Sequence, residues 1–187
     1  MLLGVAIPHE PVRRTGARAP VTLTAEINAG AILWRRLDTP GHDACRLDQF
    51  DAGWQIDGVA VFLHEGAPAL LTYRLLSDPD WRTREGRVRG WLGPQRVDFH
   101  VARNGGWTLN GSAVPGLESC VDLDLGFTPA SNLFQLRRLD LAVGQAADAP
   151  VAWLDVSAGT LDLLHQRYDR RDESTYWYEA PRFDYAA

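Results

Sequence analysis

The sequence contains no lysine: all nineteen of its basic residues are arginine. That absence removes Schiff-base chemistry, a lysine general base and the lysine of a phosphate-binding P-loop. It leaves the forked guanidinium, which suits carboxylates, phosphates and aromatic faces. Cysteine is nearly as scarce. Cys45 and Cys120 are expected as buried thiols in a reducing compartment rather than as a disulfide. No apolar run approaches the ~20 residues that span a bilayer. The start, Met1 to Pro8, has neither the basic flank nor the length of a secretory signal, so a cytoplasmic location and no transmembrane segment are expected. Neither a Gly-x-Ser-x-Gly elbow nor a GxGxxG fingerprint occurs. The five histidines, at 9, 42, 64, 100 and 165, lack the paired spacing of a zinc site. Cys45 lies near His42, but no second such pair completes a ligand set, and neither metal nor cofactor is expected. A net charge of −5 argues against nucleic acid, whose binding rests on neutralising phosphates.

What is present is an ordinary apolar share of 45% arranged in short alternating runs. At 187 residues the chain suits one domain. Residues 1–20 mix Pro, Arg and Gly without periodicity and read as a loose arm or edge segment. Strands are expected over 21–27, 31–37, 42–47, 58–63 and 69–76, the last two flanking a Gly-Ala-Pro loop. Further strands are expected over 87–92 and 96–103, where Val97, Phe99 and Val101 oppose Asp98 and His100 as in a sheet wet on one side. Asn104-Gly-Gly leads into Trp107–Leu109, and Asn110-Gly111 is a strong two-residue hairpin signal. Runs at 151–156, 160–168 and 173–179 continue the series. Turns every eight to twelve residues, with no alternation of strands and long helices, predict a mostly β chain built on antiparallel pairing.

One segment breaks the pattern. From Cys120 the chain alternates, with Val121, Leu123 and Leu125 on one face and Asp122 and Asp124 on the other, as in a half-buried strand. At Thr128-Pro129 it changes: Thr caps helices and Pro fits their first turn. Leu133, Leu136, Leu139 and Leu141 then recur at helical spacing up to a stop at Gly144, predicting one short helix near 129–141. A strand with two carboxylates thus runs into a helix with Asn132, Arg137 and Arg138. Asp122 and Asp124, about 7 Å apart by strand rise, suit the acid and base of a glycosidase, a ligand contact, an ion pair with arginine, or plain solvated charge.

Aromatics lie beside arginine in Trp34-Arg35-Arg36, Trp81-Arg82-Thr83-Arg84 and Gln166-Arg167-Tyr168. Such combinations bind sugars, whose apolar faces stack on rings while hydroxyls meet planar polar groups. They also form surface ion pairs. Trp54, Trp107 and Trp153 are expected as packing residues.

The run from Asp122 through Thr128-Pro129-Ala130-Ser131-Asn132 to Leu136-Arg137-Arg138-Leu139 resembles the core motif of a bacterial family described as putative glycolipid-binding proteins. Leu71-Thr72-Tyr73 with Asp80–Arg84 upstream, and Gln166-Arg167-Tyr168 downstream, resemble the same family in the same order. The resemblance implies an antiparallel spiral β-roll or half-open barrel, similar in outline to lipoprotein carriers. It places Trp81, Arg82, Asp122, Thr128, Asn132, Arg137, Arg138, Gln166 and Tyr168 on motif positions. The expectation is a non-catalytic protein that holds a glycolipid or similar amphiphile in the hollow, concave interior of the roll. Ligand contacts are expected from Trp81, Arg82, Asp122, Asp124, Asn132, Arg137, Arg138, Gln166 and Tyr168, with the acidic strand and paired arginines at the lip. The alternative is an enzyme of sugar or lipid metabolism using Asp122 and Asp124 as acid and base. Oligomeric state is left open.

Overall fold

The computed structural model describes residues 2–6, 27–183 and 185–186, with side-chain detail from 29 to 183. A meander forms the larger part: β1 (Leu2–Ala6), β2 (Ile27–Arg36), β3 (Gly41–Phe50), β4 (Gly53–His64), β5 (Ala67–Ser77), β6 (Thr83–Leu92), β7 (Gln95–Arg103), β8 (Trp107–Leu109) and β9 (Ser112–Val114). These nine strands pair antiparallel with their sequence neighbours in one sheet that does not close into a barrel. The antiparallel β architecture is as the sequence predicts. The strand expected over 21–27 lies outside the described residues apart from Ile27, and the arm over 1–20 is described only at β1.

Turn chemistry fixes the register. At Glu65-Gly66 both residues have positive φ (51° and 81°), the two-residue hairpin turn whose twist matches the flanking strands. The turn therefore sits one residue earlier than the expected Gly-Ala-Pro loop, and Pro68 falls inside β5 opposite Leu63. Proline is tolerated there because the β5–β6 ladder begins only at Ala69 and no partner needs its missing N–H. Asn110-Gly111 makes the same turn, at φ 50° and 83°.

The second part begins with β10 (Asp122–Asp124), followed by a 3-10 turn (Pro129–Ser131), α1 (Asn132–Leu139), β11 (Ala146–Asp148), β12 (Val151–Asp155), β13 (Thr160–Leu164), β14 (Arg167–Arg170), β15 (Tyr176–Ala180) and β16 (Tyr185–Ala186). Strands β10, β12 and β13 form a small sheet, in which β10 and β12 run parallel. Strands β11, β14, β15 and β16 form another. The single run expected over 160–168 is broken at His165-Gln166, and its halves join different sheets.

Thr128 caps the turn as its sequence position predicts, its hydroxyl accepting from the Ala130 N–H at 3.1 Å. The helix stops before Gly144: Asp140 takes a left-handed conformation (φ 43°) and its N–H returns to the Leu136 carbonyl. Leu141, beyond that stop, packs with Ala149 and Tyr168 in a small separate core.

Strand alternation gives the large sheet two unlike faces. On the inner face Ile56, Ala60, Phe62, Leu71, Tyr73, Leu75 and Val88 are buried and pack with Leu123, Leu125, Phe127 and Phe134 from the β10–α1 segment. Leu123 seats directly on Gly86, where a Cβ would lie 2.2 Å from its Cδ2. The expected hollow interior is therefore corrected: the space between the sheet and β10–α1 is filled with apolar side chains. Aromatic bulk at Phe62, Phe127 and Phe134 and the glycine at 86 bring the layers into contact.

Candidate functional site

The outer face of the large sheet, opposite this core, carries a cavity of about 820 Å³ across β2 to β6. Leu33, Ala44, Val59 and Thr72 contribute its apolar middle, and Arg46, Asp57, Arg74, Arg87 and Arg89 its polar side. The register places these residues in rows. Leu33, Ala44, Val59, Thr72 and Arg89 lie side by side across five strands. Ala31, Arg46, Asp57, Arg74 and Arg87 form the adjacent row. Every second residue of each strand faces this way, so one row is mostly apolar and the next mostly charged.

Four guanidiniums thus share the trough with one carboxylate. Asp57 accepts from Arg74 at 2.7 Å. Asp98, just outside, takes Arg89 at 3.3 Å and Arg87 at 3.7 Å, and Asp48 takes Arg46 at 2.7 Å. The Arg87 Nε is buried and has no hydrogen-bond partner among the described residues. The arrangement offers donors to an anionic or hydroxyl-rich group beside an apolar floor.

None of the nine residues expected to contact ligand lines this trough. Most converge instead behind β10. Its acidic face, for which solvated charge was one reading and an arginine pair another, is buried: Asp122 is 0% and Asp124 5% exposed, because Arg138 of α1 and Gln166 just before β14 cover it while Leu123 faces the large sheet. Arg138 grips Asp122 with Nη2 at 2.6 Å and Nε at 3.0 Å. Burial pushes the Asp122 carboxyl above its ordinary range, and Arg138 opposes that. Asp124 accepts from the Gly126 N–H at 2.7 Å, from Ser131 and from the Gln166 amide. Among the described residues no cation neutralises it, and burial raises its pKa, opposed by those donors. Both carboxylates are thus enclosed and engaged, and neither lines the trough.

The other motif residues build the same joint. Trp81, held at φ 65°, stacks on Trp54 at 4.1 Å and tilts against Phe134 at 6.0 Å. The Arg137 guanidinium lies 5.9 Å over the Trp81 ring. Asp78 fixes the loop by accepting from the Arg82 N–H at 2.9 Å, and Thr83 accepts from the Leu123 N–H. Asn132 opens α1, and its N–H bonds back to the preceding turn. Gln166 and Tyr168 are buried, and Gln166 Oε1, Tyr168 OH and both amide atoms of Gln135 lack partners among the described residues. Burial, with Asp124 and Tyr178 nearby, raises the Tyr168 hydroxyl well above its ordinary range.

A further polar group went unread in the sequence. Asp43 is buried on the inner face, accepting from the Tyr73 hydroxyl at 2.7 Å, which in turn accepts from Thr128 at 3.1 Å. Burial raises Asp43, and burial with Asp43 alongside pushes the Cys45 thiol up to about 12. The signal was the shared period of Asp43, Cys45 and Leu47, which puts a carboxylate on an apolar stripe. For the trough the signal was Arg74 alternating with Tyr73 and Leu75, and Arg87 and Arg89 flanking Val88. Both cysteines are free. Among the described residues no cluster of His, Cys, Asp and Glu could hold a metal ion, and no helix is long and apolar enough to cross a membrane.

A crystal structure of a DUF1089 family protein from Pseudomonas aeruginosa is similar to this chain, with 26% identity and a TM-score of 0.68 over 94% of this chain and 89% of that one. No curated protein matches the chain. The model of the family described as putative glycolipid-binding matches residues 31–187, which contain the large sheet from β2 onward, the trough and the β10–α1 joint. By that match the chain belongs to the putative glycolipid-binding family.

Proposed function

We propose that the protein binds, without catalysis, a glycolipid-like amphiphile in the outer-face trough. The acyl portion lies on the row of Leu33, Ala44 and Val59, and the polar head faces Arg46, Arg74, Arg87 and Arg89. The observation that carries this reading is the adjacency, on one sheet face, of an apolar row and an arginine row around a cavity of about 820 Å³. That is a size common among small-molecule sites. Family membership supports binding in general. Burying each methylene contributes about 0.8 kcal/mol, so a ten-carbon chain supplies roughly 8 kcal/mol. That is enough to offset much of the cost of association. The motif residues Trp81, Asp122, Asp124, Arg138, Gln166 and Tyr168 then act indirectly, by holding β10 and α1 against the back of the sheet.

The test is isothermal titration with a short-chain glucolipid or rhamnolipid kept below its micelle-forming concentration. Ala44→Trp fills the apolar row and is expected to weaken binding by about tenfold or more, a loss of at least ~1.4 kcal/mol, with the unfolding temperature unchanged. Equal affinity in the wild type and the variant refutes the assignment.

A further inference from the structure

Beyond the trough, the same outer face ends in a row that neither touches the cavity nor joins the core. Val61 pairs with Leu70 and Leu70 with Trp91, which lines them up across β4, β5 and β6. Val61 is 49% and Trp91 39% exposed, and Leu63 at the tip of β4 is 37% exposed. Adjacent outward-facing apolar residues at hairpin ends are uncommon on a surface that meets only water. Arg96 lies directly across from Trp91 on β7, and Arg89 stands two residues from it along β6. The row is continuous with the trough, because Val61 follows Val59, Leu70 precedes Thr72 and Trp91 follows Arg89 on the same face.

We propose that this hairpin end is a docking site for a lipid surface. Val61, Leu63 and Trp91 enter the boundary between headgroups and acyl chains, where an indole's apolar body and polar N–H are both accommodated. Arg96 meets the headgroup phosphates. The inference extends the trough reading by naming where its ligand comes from: an amphiphile drawn out of a bilayer passes over the apolar row and into the cavity without crossing water. A sheet face needs no membrane-spanning helix for this.

Flotation with vesicles of phosphatidylcholine and phosphatidylglycerol tests it. The wild type is expected to rise with the vesicles, and the double variant Val61→Asp/Trp91→Asp to remain in the dense fraction, at least about fivefold depleted from the lipid layer. The double variant is expected to keep its affinity for the monomeric short-chain glucolipid, since neither residue lines the cavity. Ala44→Trp is expected to float like the wild type while losing the glucolipid. A wild type that binds glucolipid but does not float overturns docking and leaves the trough reading intact. A wild type that floats but binds no glucolipid does the reverse. A double variant that floats as well as the wild type also overturns docking. So does a wild-type dimer in light scattering that the double variant converts to monomer, because the face would then be covered by a second copy of the chain.

Discussion

Buried carboxylates are the costly residues of this molecule, and each is handled differently. Asp122 meets a cation, so removing that cation strands a charge in the core. Arg138→Ala is expected to lower stability by about 3–5 kcal/mol, read by urea denaturation, whereas a drop below about 1 kcal/mol contradicts the placement. Among the described residues Asp124 meets only neutral donors, and beside it Gln166 Oε1 has no partner. A protonated or amide group at 124 can donate to that oxygen once the Gln166 amide is oriented to receive it. Asp124→Asn is therefore expected to keep or raise stability at neutral pH. The sign of the pH dependence follows from the raised pKa of Asp124. A carboxyl whose pKa is higher folded than unfolded contributes stability that is complete below its ordinary value of 3.8 and is lost as pH rises through the folded value. Measured from about pH 4 to neutrality, the wild type should lose more stability than Asp124→Asn. Parallel curves for the two proteins speak against it.

The elements were legible to different depths. The meander and its tight turns could be read because glycine and asparagine at positive φ state their purpose locally. The helix start was also legible at Thr128-Pro129. Its end was not, because Asp140 ends it in the left-handed conformation and Gly144 only looked like the stop. The readings left open for the acidic strand β10, among them the arginine ion pair that Asp122 makes, could not be decided locally. Period-two alternation distinguishes two faces, but it cannot tell water from a covering helix. Only Arg138 and Gln166, distant in sequence, reveal that the acidic face is enclosed. The family motif pointed to residues that matter, yet most of these cluster in the joint between layers, and of the motif only Thr72 and Tyr73 reach the trough. At this joint Gly86→Val is expected to cost about 1–3 kcal/mol by overpacking against Leu123. Adding Leu123→Ala should restore part of that loss, since the added Cβ would lie 2.2 Å from the Leu123 side chain. Strict additivity of the two changes means the contact is not made.

At the scale of the whole molecule, the sheet has two unlike faces. Its inner face joins β10 and α1 in a filled core. Its outer face carries the arginine row, the apolar row and the apolar hairpin end in sequence. On the proposed reading, folding and binding fall to alternate residues of the same strands, so a variant on one face should leave the other undisturbed. The most direct measurement of this division is photo-crosslinking with a glucolipid carrying a diazirine on its acyl chain, followed by peptide mapping. The account predicts adducts on the outward residues of β2 to β5, at Leu33, Ala44 and Val59. Adducts concentrated on 122–139, with those strands unlabelled, would contradict it.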